Sequence, residues 1–221
     1  MKRFCLASVS LLALATAASA ADLGRPAPYY PPAAPVYAPA FTWTGFYVGV
    51  NGGGGWGRSG WDSTGTFDVS GGLVGGTVGY NYQTGWAVFG VEGDIDWSGI
   101  KGTTNNACAP GCTTGNTWLS TVRGRFGYAA GQFMPYVTGG VAFGNIQASE
   151  PGFAGNSSTN AGWTLGGGLE YAFAHNWSAK AEYLYVDLGN FNCGTSCGPG
   201  VAINNVSFRT NILRGGVNYR F

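Results

Sequence analysis

Charge is scarce in this chain, and so are the residues on which much catalysis depends. Of its 221 residues only 10% are Asp, Glu, Lys or Arg, and there is a single histidine, His175. With one histidine in a short turn, no Ser-His-Asp set assembles on the outer rim of the fold derived below, and no catalytic residue is assigned. Past the N-terminus no run of about 18 apolar residues occurs, so no helix is long enough to span a bilayer. The near balance of 11 basic against 10 acidic residues excludes a nucleic-acid partner and a polybasic membrane-surface segment.

What is present begins with an export signal. Lys2 and Arg3 precede an apolar run from Phe4 to Ala18, and Ala18-Ser19-Ala20 is a small-residue cleavage site before Ala21. Residues 1–20 are therefore read as a signal peptide. A residue other than cysteine after the cut excludes a lipid-anchored start, and Cys5 leaves with the signal. Losing Lys2 and Arg3 takes the basic count from 11 to 9 against 10 acids, a net charge near −1. Residues 21–42 form a proline-rich periplasmic segment, with Pro26, Pro28, Pro31, Pro32, Pro35 and Pro39 around Tyr29, Tyr30 and Tyr37. Such a stretch is extended and joins no sheet. It is a spacer or a docking segment for a periplasmic partner.

Glycine is abundant, 40 residues in all, yet aromatics make up 15% and fall at regular positions, which disordered chains lack. From Gly45 a period-two pattern recurs eight times: Gly45 to Trp56, Gly71 to Tyr82, Trp86 to Trp97, Thr117 to Ala129, Phe133 to Ile146, Ala161 to Phe173, Trp177 to Leu188 and Val206 to Phe221. The connections alternate. Gln83–Gly85, Ala130–Gln132 and Ala174–Asn176 are tight, whereas Gly57–Ser70, Ser98–Asn116, Gln147–Asn160 and Gly189–Asn205 are long. An all-β, eight-stranded antiparallel up-and-down transmembrane β-barrel over residues 43–221 is expected, with its short turns in the periplasm.

The two faces decide which side meets lipid. One carries Val74, Val78, Tyr80, Phe89, Val91, Ile95, Val122, Phe126, Val137, Val141, Leu165 and Leu169, with aromatics near the strand ends. Phe46, Tyr82, Trp97, Trp118, Tyr128, Trp163, Phe173, Trp177, Tyr219 and Phe221 would form the interfacial girdles. The other face holds the strand charges: Glu92, Asp94 and Asp96 on the third strand, Arg123 and Arg125 on the fourth, Glu170 on the sixth, Lys180 and Glu182 on the seventh, Arg214 on the eighth. A soluble ligand-carrying barrel would invert this arrangement. Three acids beside two arginines on neighbouring strands are expected to pair across one ladder, filling the lumen of a barrel this narrow. The competing expectation is a narrow polar pathway, because inner positions Gly75, Gly79, Gly90, Gly140, Gly144, Gly166 and Gly168 leave room for water.

Four cysteines remain after export, Cys108 and Cys112 in the second long connection and Cys193 and Cys197 in the fourth. Export favours disulfides, with the two local C-x3-C pairs preferred over a cross-loop arrangement or a four-thiolate metal site. No metal or other cofactor is expected. Asp94 and Asp96 are spaced like paired catalytic carboxylates, but beside arginines they are read as structural. The glycine runs Gly52–Gly55 and Gly166–Gly168 lack the lysine and strand-to-helix setting of a phosphate loop.

Several stretches carry a resemblance: Trp43-Thr44-Gly45-Phe46-Tyr47-Val48-Gly49-Val50-Asn51, VFGVEGDIDW at 88–97, LSTVRGRFGY at 119–128, PYVTGGVAFG at 135–144, WSAKAEYLYVDL at 177–188, and the Tyr-Arg-Phe end. In their order and spacing they resemble the opacity-type small outer-membrane β-barrels, close to alphaproteobacterial surface antigens and porin-like proteins and related to the outer-membrane-protein-A barrel. The resemblance implies a bacterial outer-membrane location, surrounded by the bilayer and lipopolysaccharide, with a monomer favoured. It also implies assembly by the barrel-insertion machinery reading a C-terminal signal in Val217, Tyr219 and Phe221. For function it implies a non-enzymatic envelope role, with a porin-like pore for small solutes, an adhesin or a haem binder as the alternatives.

Overall fold

The computed structural model describes residues 41–61, 65–104, 111–149, 156–191 and 206–221. The signal and, up to residue 40, the proline-rich segment lie outside the described residues, as do Cys108, Cys193 and Cys197. Cys112 is described only as the first residue of a strand. Eight strands follow one another: β1 (Gly45–Trp61), β2 (Gly65–Thr84), β3 (Ala87–Thr104), β4 (Cys112–Tyr128), β5 (Phe133–Ser149), β6 (Asn156–Ala172), β7 (Trp177–Phe191) and β8 (Val206–Arg220). Each pairs antiparallel with its sequence neighbour, and β8 returns to β1, with Tyr47 opposite Arg220 and Trp61 opposite Val206, to close an up-and-down barrel. Closure removes the sheet edges that hydrocarbon does not tolerate.

The strand alternation sorts side chains cleanly. Val74, Val78, Val91, Ile95, Val122, Val137, Leu165 and Leu169 are exposed on the outside, and the barrel's polar residues are buried within. Of the expected girdle aromatics, Phe46, Tyr82, Trp97, Tyr128, Trp163, Phe173, Trp177 and Phe221 are exposed outward. Tyr219 is wedged between Trp177 and Phe221, with ring centroids 5.1 and 5.2 Å away. At the end with the tight turns, Gly85 adopts a left-handed φ of 59°, which the two-residue reversal between β2 and β3 requires.

The strands run further than the alternation alone indicated. The connection expected over Gly57–Ser70 shrinks to residues 62–64, and those expected over Ser98–Asn116 and Gln147–Asn160 shrink in the same way, because β3 continues to Thr104 and β5 to Ser149. The physical reason lies on the inner face, where Val69 and Ile100 continue the buried apolar row instead of turning to solvent. Register shifts between Trp97 and Ile100, between Asn116 and Leu119, and between Asp187 and Asn190 kink these outer extensions. In the last of these Gly189 takes φ 67° while its amide donates to Asp187 Oδ1 at 2.9 Å.

Candidate functional site

The lumen is filled in three tiers. At the end with the tight turns the segment before β1 folds under the barrel, and Trp43 is almost wholly buried against Val88, Met134 and Ala172. Its amide donates to Gln83 Oε1 at 2.8 Å and its indole Nε1 donates to the Gly131 carbonyl at 3.0 Å. The Arg220 guanidinium stacks beneath it, 4.5 Å from the Phe41 ring centre and 5.5 Å from that of Trp43.

Above this cork lies the charged tier, where all nine residues singled out from the sequence are buried. Arg123 binds three carboxylates at once: Nη2 contacts Glu92 Oε1 and, at 2.7 Å, Asp94 Oδ2, while Nη1 reaches Glu182 Oε1 at 2.9 Å. Arg214 is 2.7 Å from Asp96 Oδ2, 2.9 Å from Asp94 Oδ2 and 2.8 Å from Glu182 Oε2. Lys180 Nζ holds Glu92 Oε2 at 2.8 Å, and Arg125 Nη2 holds Glu170 Oε2 at 2.7 Å. Glu170 also accepts from Ser178 and Asn218.

The expected β3–β4 pairing is present, Arg123 with Glu92 and Asp94 and Arg125 with Glu92, and the network extends it across the barrel axis to β6, β7 and β8. Only Glu92 and Arg123 are register partners between β3 and β4, while Arg125 bonds chiefly to β6 and Asp96 to β8. Glycine placement explains the reach. Every cation of the tier has a glycine opposite it on a neighbouring strand: Gly140 for Arg123, Gly90 for Arg125, Gly53 for Arg214 and Gly216 for Lys180. With no side chain facing them, the long stems lean over the glycines into the centre.

Inward glycines also correct a second expectation at Gly79, Gly90 and Gly168, that missing side chains leave space for water. A Cβ on Gly90 would lie 2.9 Å from Arg125 Cγ, and one on Gly168 would lie 2.8 Å from the Tyr136 hydroxyl. On Gly79 it would run into the Tyr47 ring. Large neighbours already occupy these volumes.

Tyr47 and Tyr136 are the aromatic network members that sequence reasoning missed, beside the smaller donors Thr121, Ser178 and Asn218. Tyr47 donates its hydroxyl to Glu92 Oε2 at 2.7 Å, and Tyr136 donates to Glu182 Oε1 at 3.0 Å. Arg125 lies over the Tyr136 ring at 3.9 Å. Their strand parity was the available signal: Tyr47 shares a face with Gly49 and Asn51, and Tyr136 with Met134 and Thr138.

Acids outnumber bases in this tier, with Glu92, Asp94, Asp96, Glu170 and Glu182 against Arg123, Arg125, Lys180 and Arg214. The surplus lies at its upper edge, where Asp94 Oδ1, Asp96 Oδ1 and Asn51 Oδ1 are buried with no hydrogen-bond partner. Among the described residues no group of three acids, histidines or cysteines is arranged to hold a metal ion.

The third tier is mainly apolar, with Ser59, Thr114, Asn116 and Thr210 buried among its aliphatic side chains. Leu73, Leu119, Ala142, Leu184 and Ile212 lie directly above the charges, and Val69, Ile100, Ile146, Val186, Leu188 and Phe208 continue toward the outer mouth. Elsewhere, His175 sits exposed in the turn between β6 and β7, its carbonyl accepting from Arg220 Nη2 at 2.9 Å. Val217 on β8 and Phe221 just beyond it are exposed.

A closed eight-stranded barrel with lipid-facing aliphatics, aromatic rims and an ion-paired interior defines a small integral outer-membrane protein. The chain belongs to the outer membrane protein beta-barrel domain family, which matches residues 5–221. It is 38% identical over 247 residues to the 31 kDa outer-membrane immunogenic protein of Brucella melitensis, with 100% of both chains covered. To the 25 kDa outer-membrane immunogenic protein of Brucella canis it is 32% identical over 222 residues, covering 100% of this chain and 99% of the relative. Among solved structures, Neisserial surface protein A aligns with a TM-score of 0.49 and 18% identity, over 80% of this chain and 98% of that one. The protein resides in the bacterial outer membrane, as its named relatives do.

Proposed function

We propose that this protein is a sealed, non-enzymatic barrel that contributes to the structure of the outer membrane and presents its outer connections at the cell surface. The observation that carries this reading is the tiered lumen: Trp43 below, a buried ion-pair network at mid-height and an apolar layer from Leu73 to Phe208 above. A water-filled path would need a polar lining from end to end, and the upper tier interrupts it with aliphatic side chains. The buried carboxylates are committed to arginine and lysine, which leaves none free as a general base in a cleft. Relatives named immunogenic proteins suit a chain displayed at the surface.

The rival reading is a porin-like narrow pore, favoured by the partnerless oxygens of Asn51, Asp94 and Asp96. Liposome swelling separates the two. Vesicles carrying the folded barrel should swell in small sugars no faster than empty vesicles, and swelling that scales with protein content would establish the pore.

A further inference from the structure

Among the described residues the lumen buries five acids and four cations, so one negative charge is left over in an interior where an unpaired charge is costly. The hydrogen bonds locate it. Arg214 takes one oxygen from each of Asp94 and Asp96, Oδ2 in both cases, at 2.9 and 2.7 Å. The other oxygen of each acid, Oδ1, has no hydrogen-bond partner, and neither has Asn51 Oδ1. All three residues are at most 5% exposed. Buried oxygens without a protein donor are normally held by water or by an ion.

The sheet brings these oxygens into one cluster. Asn51 on β1, Gly75 on β2 and Asp96 on β3 are successive partners in one register row. Gly75 has no side chain, and the Asp96 carboxylate takes the vacant place, since a Cβ there would run into Asp96 Oδ1. The Asn51 amide and the Asp94 carboxyl lie beside Asp96. Asn51 Nδ2 is already engaged, donating to Thr77 Oγ1 at 3.0 Å, so the amide contributes an acceptor to the cluster and not a donor.

We propose that Asn51, Asp94 and Asp96 bind a single alkali cation, of the class of Na+, inside the lumen. The donor set defines the ligand class: two carboxylate oxygens and an amide oxygen are hard ligands, suited to alkali and alkaline-earth ions and not to soft transition metals. The charge then selects a monovalent ion, because one positive charge cancels the surplus and two would reverse it. A water donates to at most two of the three oxygens and leaves the charge in place. A proton cancels the charge but bridges only two of them. The inference goes beyond the structural reading of the barrel and does not depend on it: an ion held beneath the upper tier carries no current, so ion binding and channel recording answer separately.

The test refolds the full chain into lipid vesicles at constant ionic strength, with Na+ replaced stepwise by choline, which is too large for the cluster, and follows unfolding in urea. Because only the folded state holds the ion, the folded-to-unfolded ratio of the wild type should rise by up to about ten-fold for each ten-fold rise in Na+. Asp96→Asn removes the surplus charge and a charged ligand, and its unfolding should be indifferent to Na+. Asn51→Val keeps the charge and removes the neutral ligand, so its dependence on Na+ should be weaker than that of the wild type. Equilibrium dialysis of barrels refolded in neutral detergent with radiolabelled sodium gives a second readout, with label bound in equimolar amount by the wild type and not by Asp96→Asn. A wild type indifferent to Na+, an equal Na+ dependence in wild type and Asp96→Asn, or equal label on the two overturns the site. Wild-type stability that ignores Na+ but follows pH, with the pH dependence lost in Asp96→Asn, overturns the cation in favour of a proton shared by Asp94 and Asp96.

Discussion

Arg123 on β4 and Glu182 on β7 meet across the barrel axis, Nη1 to Oε1 at 2.9 Å, although neither strand touches the other. This bond ties opposite walls of the lumen together, and Tyr136 donates to the same Glu182 oxygen from a third strand. Interaction energy at this point therefore belongs to a cluster, not to one pair.

Breaking the cluster at its centre should be severe. Arg123→Ala leaves Glu92, Asp94 and Glu182 short of a partner in a closed interior, and a loss of about 3–5 kcal/mol is expected. Denaturant unfolding in lipid vesicles measures it. In a double-mutant cycle with Glu182→Gln the two losses should fall short of additivity by about 0.5–3 kcal/mol, and strict additivity would show that the pair is not coupled.

Removing the surplus charge should be mild. Each of the two acids has one partnerless oxygen, but Asp96 has a single cationic partner, Arg214, whereas Asp94 Oδ2 is bound by Arg123, Arg214 and Thr121. Asp96→Asn keeps an acceptor for Arg214 and lowers the acid count to match the bases. A change within about 1 kcal/mol is expected, against a clear loss for Asp94→Asn. The reverse order in unfolding experiments would contradict the charge accounting.

Much of this was legible in the sequence, and the limits have physical causes. The parity of Glu92, Asp94, Arg123 and Arg214 against the outer aromatics placed them inside, because period two allows only two faces. The partners were not legible: Arg125 reaches Glu170 on a strand that is not its neighbour, and alternation says nothing about reach across an axis. Tyr47 and Tyr136 were hidden by the habit of aromatics on barrel walls to face lipid. Val69 and Ile100 were hidden because the glycine- and serine-rich stretches around them resemble loops, whereas their own parity continues the inner face.

Glycines on the two faces should respond oppositely to alanine. At inward Gly140 a new Cβ would overlap the Val122 carbonyl and lie 2.7 Å from Arg123 Cα, which is backbone and does not yield. At outward Gly124 its nearest neighbour is 3.9 Å away. Gly140→Ala should lose about 1–3 kcal/mol and Gly124→Ala should be close to neutral, both read from vesicle unfolding.

The Trp43 cork should matter for stability more than for closure. Trp43→Ala empties a buried site and removes the indole bond to Gly131, with an expected loss of about 3–5 kcal/mol in the same unfolding assay. The charged and apolar tiers above it remain in place, so the variant should not conduct.

Closure of the lumen is tested most directly by single-channel recording of the purified, folded barrel in planar bilayers. A sealed lumen predicts a flat baseline at all voltages for the wild type. Discrete, reproducible steps whose size changes when Glu92 or Arg123 is neutralised would contradict it.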